Sequence, residues 1–138
     1  MIKVLLVDDH ELVRTGIRRI LEEAGDMEVV GEAADGDSAL KAARKVAPDV
    51  VLMDVNMPGM GGIEATRRMV RLLPDAKVIA LTVLDDDPFP ARLKDAGAVG
   101  YLTKGCPAKE MIEAVRTVRR GFPYVAASVA RKHMLADW

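Results

Sequence analysis

The stretch VVLMDVNMPGMGG, Val50 to Gly62, decides how this chain folds. Four consecutive apolar residues, Val50 to Met53, fit a strand buried on both faces, because a strand with one wet face alternates apolar and polar positions. The run ends at a carboxylate, Asp54. Asn56, Pro58 and the glycines 59, 61 and 62 then turn the chain. A buried strand that delivers one acid to its end suits a parallel sheet whose C-terminal rim carries the chemistry.

The same unit recurs on both sides. Residues 2–7 (IKVLLV) form an apolar run ending in Asp8-Asp9-His10. A helical period follows, with Val13, Ile17, Ile20, Leu21 and Ala24 on one face and Arg14, Arg18, Arg19, Glu22 and Glu23 opposite, closed by Gly25. Residues 28–33 (EVVGEA) give a weaker strand interrupted by Gly31. Asp35 to Ser38 then offer caps to a helix bearing Ala39, Leu40, Ala43, Val46 and Ala47, which Pro48 stops. Past the opening stretch, a helix from about Ile63 to Leu73 turns Arg67, Arg68 and Arg71 outward and stops at Pro74. Residues 77–82 (KVIALT) are the fourth strand. The two prolines in 85–90 allow only a short or distorted fourth helix up to Gly97. Residues 98–104 (AVGYLTK) are the fifth strand, and Pro107 opens a last helix that buries Met111, Ile112, Val115 and Val118 and ends at Gly121.

Five strand–helix alternations predict an α/β fold: a doubly wound, five-stranded parallel sheet with helices on both faces. The 138 residues suffice for one domain and a short remainder, and half of them are hydrophobic. A net charge of −1 gives no global attraction to nucleic acid or to an anionic membrane. No apolar run reaches the length of a membrane span and no signal-peptide pattern opens the chain. Cys106 is the lone cysteine, so a cytoplasmic protein without disulfides is expected.

In right-handed βαβ units all strand ends share one rim. The residues at those ends are Asp8, Asp9, Asp54, Thr82 and Lys104, while the second strand adds nothing of note. Each alone has an ordinary explanation: the first two acids as helix caps, Asp54 as a turn residue, Lys104 as a solvated lysine. Their convergence from four strands is what points to a site. Three carboxylates in one crevice repel each other unless a cation sits among them, and a hard oxygen set favours Mg²⁺. Such a site suits transfer of a phosphoryl group to a carboxylate, with Lys104 and Thr82 contacting phosphoryl oxygens. His10 is expected at the edge of the site.

With these residues assembled, the chain resembles the receiver domain of bacterial two-component response regulators. The motifs are V-D-D-H after the first strand, L-M-D-V-N-M-P-G-M-G-G after the third, L-T after the fourth and Y-L-T-K before the last helix. D-D-H-E-L-V-R-T-G and L-T-K-G resemble the NarL/FixJ class, and T-V-L-D-D-D-P-F-P-A-R-L the GacA/UvrY branch. The resemblance implies a flavodoxin-like strand order 2-1-3-4-5 and a phosphorylation-controlled signalling switch, not a turnover enzyme. It implies that Asp54 accepts a phosphoryl group from a sensor histidine kinase. Asp9, Asp54 and the backbone carbonyl of Asn56 would hold Mg²⁺, with Asp8 assisting, while Lys104 contacts the phosphoryl group. Thr82 and Tyr101 would form the switch pair, and phosphorylation could bring a homodimer. The wider family often has proline directly after the lysine; here Gly105-Cys106 intervene and proline comes at 107.

The receiver is expected to span residues 1–121. Residues 122–138 would be the start of an interdomain linker or an extra helix, with a DNA-binding helix-turn-helix domain absent from this chain. The rival is a phosphatase resembling the haloacid dehalogenase group, which also uses an aspartyl nucleophile but opens a D-x-D motif after its first strand.

Overall fold

The apolar runs become strands and the 3.6-residue periods become helices in the computed structural model, which describes residues 1–83 and 89–127. In chain order they are β1 (Ile2–Val7), α1 (Glu11–Glu23), β2 (Met27–Ala33), α2 (Gly36–Val46), β3 (Val50–Asp54), α3 (Gly61–Leu72), β4 (Lys77–Thr82), α4 (Phe89–Ala96), β5 (Gly100–Thr103), α5 (Ala108–Arg119) and β6 (Tyr124–Val125). The strands form one sheet in the order β2-β1-β3-β4-β5-β6, with every neighbouring pair parallel.

The helix boundaries follow local chemistry. Asp35 caps α2 by accepting the Ser38 N–H at 2.8 Å. Pro48 bars the right-handed helical conformation to the residue before it, so α2 stops at Ala47, which turns left-handed at φ 45°. Gly25 (φ 87°) follows α1, where a side chain would be strained. α4 has only eight residues. Residues 84–88 before it, which include Asp85, Asp86 and Asp87, lie outside the described residues.

The sheet has a dry side against each helical layer. Ile17 and Leu21 of α1 and Met111, Val115 and Val118 of α5 pack with Val4, Leu6 and Leu52 on one face. Ala39 and Ala43 of α2, with Ala65 and Met69 of α3, pack with Leu5, Val7, Val51 and Met53 on the other. Ile112 is only partly buried, because Met111, Ala114, Val115 and Val118 form the inward face of α5.

The sheet departs from expectation at its edge, where a sixth strand lies within the 122–138 tail. The Tyr124 N–H donates to the Val99 carbonyl at 3.0 Å and the Ala126 N–H to the Tyr101 carbonyl at 2.9 Å, so the tail closes the outer side of β5. Two residues after a proline carry no period, which is why only the pairing reveals the strand. Residues 128–138 of the tail, where the rest of a linker or an extra helix is expected, lie outside the described residues.

Register sets the rim. Val7 faces Met53, Met53 faces Ala80, and Ala80 faces Tyr101. Asp8 and Asp54 therefore emerge at one level, with Thr82 and then Lys104 just beyond them.

Candidate functional site

Asp54 ends β3 with no exposed surface, and Asp8 is 1% exposed. The Lys104 ammonium lies 2.7 Å from Asp8 Oδ2 and 3.2 Å from Asp54 Oδ1, so it joins the ends of β1, β3 and β5. Asp54 Oδ1 also accepts the Asn56 N–H at 3.0 Å. Its other oxygen, Oδ2, is buried and has no hydrogen-bond partner among the described residues. Leaving such an atom unsatisfied costs about 1–3 kcal/mol, more when the group is charged.

The acids converge. Ligand atoms of Asp8, Asp9, His10 and Asp54 all lie within 4.8 Å of one another. Asp9 is partly exposed, and His10 Nδ1 sits 3.1 Å from Asp9 Oδ1 and 3.3 Å from Asp8 Oδ1. Burial and the neighbouring Asp8 carboxylate push the Asp54 carboxyl up to about 6. Burial also opposes the charge on Lys104, but its hydrogen bonds and attraction to Asp8 and Asp54 outweigh that and hold its pKa above the ordinary lysine value. One ammonium thus pairs with two of the three carboxylates in the cluster. Three converging carboxylates, with the His10 imidazole at their exposed edge, fit a hard divalent cation.

The loop after Asp54 is pinned against it. A Cβ on Gly62 would lie 2.3 Å from the Asp54 carbonyl oxygen and 2.6 Å from Val55 Cα, so only glycine fits there. The Gly62 N–H donates to the Val55 carbonyl at 3.1 Å, and the Val55 N–H to Leu81 at 2.9 Å. The close approach of this loop to Asp54 therefore has a specific source at Gly62.

Thr82 is fully buried, and its carbonyl accepts the Lys104 N–H at 2.7 Å. Tyr101 is fully buried as well, one level below Asp54. Cys106 is half-buried, and burial with Glu110 nearby pushes its thiol up to about 11, which makes it a poor nucleophile. No peptide bond among the described residues is cis.

Residues 4–116 match the model of the response regulator receiver domain. The chain belongs to that family. It is 56% identical over 138 residues to the response regulator GacA of Pseudomonas syringae pv. syringae (strain B728a), which covers all of this chain and 64% of that protein. It is 53% identical over 137 residues to the response regulator UvrY of Escherichia coli (strain K12), covering 99% of this chain and 63% of that protein. Among solved structures, a LuxR-family two-component response regulator from Aurantimonas sp. SI85-9A1 superposes with a TM-score of 0.89 at 36% identity, over 94% of this chain and 92% of that one.

The chain is a receiver domain of the GacA/UvrY type and spans less than two thirds of the length of those relatives. The haloacid dehalogenase alternative finds no support: the family match runs through nearly the whole fold, and β1 is followed by the adjacent pair Asp8-Asp9 and not by a D-x-D motif. No helix among the described residues is long and apolar enough to cross a membrane.

One contributor escapes the sequence pattern. Arg14 reads as part of the solvated face of α1, yet its Nη1 donates to the Asp8 carbonyl at 2.6 Å and its Nε to Glu32 Oε1 at 2.9 Å. Its position one helical turn past Asp8-Asp9-His10 was the available signal.

Proposed function

We propose that this chain is the phosphoacceptor switch of a two-component phosphorelay, with Asp54 as the acceptor and a histidine of a sensor kinase as the donor. The observation that carries the reading is the buried Asp54 carboxylate, held at Oδ1 by Asn56 and Lys104 and with no partner at Oδ2 among the described residues. Asp9, Asp54 and the Asn56 carbonyl would hold Mg²⁺, with Asp8 completing the set through water and His10 at its edge. When bound, Mg²⁺ offsets the mutual repulsion of the carboxylates and the charge of the incoming phosphoryl group.

The protein's own groups do the rest. A carboxylate oxygen of Asp54 attacks phosphorus, the P–N bond to the donor imidazole breaks, and its electron pair returns to the ring nitrogen. The product is an acyl phosphate on Asp54. Lys104 leaves Asp8 to pair with one phosphoryl oxygen, and the Thr82 hydroxyl donates to another. Thr82 and the buried Tyr101 then act as a two-state element biased by one added phosphate. The chain is a switch that catalyses its own phosphorylation and its own dephosphorylation. Residues 1–121 form the receiver, and 122–138 lead through β6 towards a DNA-binding output domain. A cytoplasmic setting and homodimerisation on phosphorylation complete the reading.

Incubation with a small phosphodonor and Mg²⁺ should add one phosphoryl mass to the intact protein. EDTA should abolish the adduct, and so should Asp54→Asn. Undiminished labelling of Asp54→Asn would sink the assignment. Continuous phosphate release with no lasting adduct would favour hydrolysis of the donor instead.

A further inference from the structure

We infer that Arg14 is a positioning residue for the acidic pocket, fixing the Asp8–Asp9 peptide so that both carboxylates are presented to a divalent cation. The inference rests on the reading of that pocket as a cation site. Asp8 is braced on every side: its N–H donates to the Ala33 carbonyl at 3.0 Å, Oδ1 accepts the His10 N–H at 2.8 Å, and Oδ2 meets Lys104. The remaining polar atom, its carbonyl oxygen, receives Arg14 Nη1 at 2.6 Å. That carbonyl shares a peptide plane with the Asp9 N–H. Holding it therefore sets the direction in which Asp9, the least restrained acid of the cluster, leaves the rim.

Arg14 is itself clamped. Its side chain is 16% exposed, and Nε donates to Glu32 Oε1 at 2.9 Å. The other oxygen, Glu32 Oε2, accepts from Arg18 Nη2 at 2.6 Å and Nε at 2.9 Å. A guanidinium fork suits this task, because it reaches a carboxylate and a carbonyl from one rigid plane. Arg18 shares Glu32 with Arg14, and its hydrogen bonds among the described residues go to Glu32 and Glu22 rather than the β1–α1 loop. It is the natural control.

Charge and positioning predict opposite signs. Removing a cation beside an acidic pocket should tighten Mg²⁺ binding through charge alone. Loss of a group that orients metal ligands should weaken it, typically 10- to 100-fold. Calorimetric titration of the protein with MgCl₂ separates the two. We expect Arg14→Ala to raise the Mg²⁺ Kd by roughly 10-fold. Arg18→Ala should leave the Kd unchanged or lower it, and both variants should lose similar thermal stability without metal. Unchanged or tighter binding by Arg14→Ala would overturn the role, as would equal weakening by Arg18→Ala. Asp9→Asn distinguishes this failure from a deeper one. If the wild type does not bind Mg²⁺, or Asp9→Asn binds it equally well, the pocket is not the cation site and the role of Arg14 falls with it.

Discussion

Strand β3 has an aspartate at each end, and the two differ in almost every respect. Asp49, just before the strand, is satisfied. Its Oδ2 accepts the Lys3 N–H at 2.9 Å, Arg119 lies 3.8 Å from Oδ1, and its backbone pairs with Lys3 and Lys77 on the flanking strands. Asp54, at the other end, is fully buried, crowded by Asp8, and carries an oxygen without a partner among the described residues. The same residue type is structural at one rim and poised at the other. What sets Asp54 apart from Asp49 is unspent bonding capacity, together with a charge that its surroundings disfavour.

The largest expected effect tests how tightly the poised end is built. Gly62→Ala drives a Cβ into the Asp54 backbone and should cost about 3 kcal/mol, with loss of phosphodonor labelling. Gly105→Ala, beside Lys104, meets no atom within 4 Å and should stay within about 0.5 kcal/mol of wild type. Urea midpoints would read both. Equal stability for the two variants would mean that the β3–α3 loop is not pinned where the geometry has it.

The next effect has a sign that separates the two ends. With its carboxyl raised to about 6, folded Asp54 retains a proton that the unfolded chain releases near pH 4. The wild type should therefore lose stability as pH rises through that window. Without metal at pH 7, Asp54→Asn should be more stable than wild type by on the order of 2 kcal/mol, and its advantage should shrink towards pH 4. Mg²⁺ should narrow the gap from the wild-type side only. Asp49→Asn should do the reverse and lose about 1 kcal/mol at pH 7, as a charged acceptor is removed from Lys3. A stabilising Asp49→Asn or a destabilising Asp54→Asn would erase the contrast.

Much of this is legible before any coordinates. Short, mainly apolar runs ending in Asp8, Asp54, Thr82 and Lys104 announce parallel strands and their common rim, because burial on both faces leaves no alternation to confuse them. The site residues follow from the same positions. Other features are hidden for physical reasons. Arg14 belongs to the polar face of an amphipathic helix, and periodicity cannot say that a long side chain folds back onto the preceding loop. Gly62 reads as one of several turn glycines until the Asp54 carbonyl is found against it. β6 is two residues long and exists only through its pairing with β5.

The central claim is that Asp54, and none of the other acids in the pocket, becomes the acyl phosphate. Borohydride reduction of the labelled protein converts an aspartyl phosphate to homoserine, and peptide mass spectrometry then locates it. Homoserine at position 54, dependent on Mg²⁺ during labelling, is the predicted result. Homoserine at position 8 or 9, or a labelled protein with none at 54, would contradict the account.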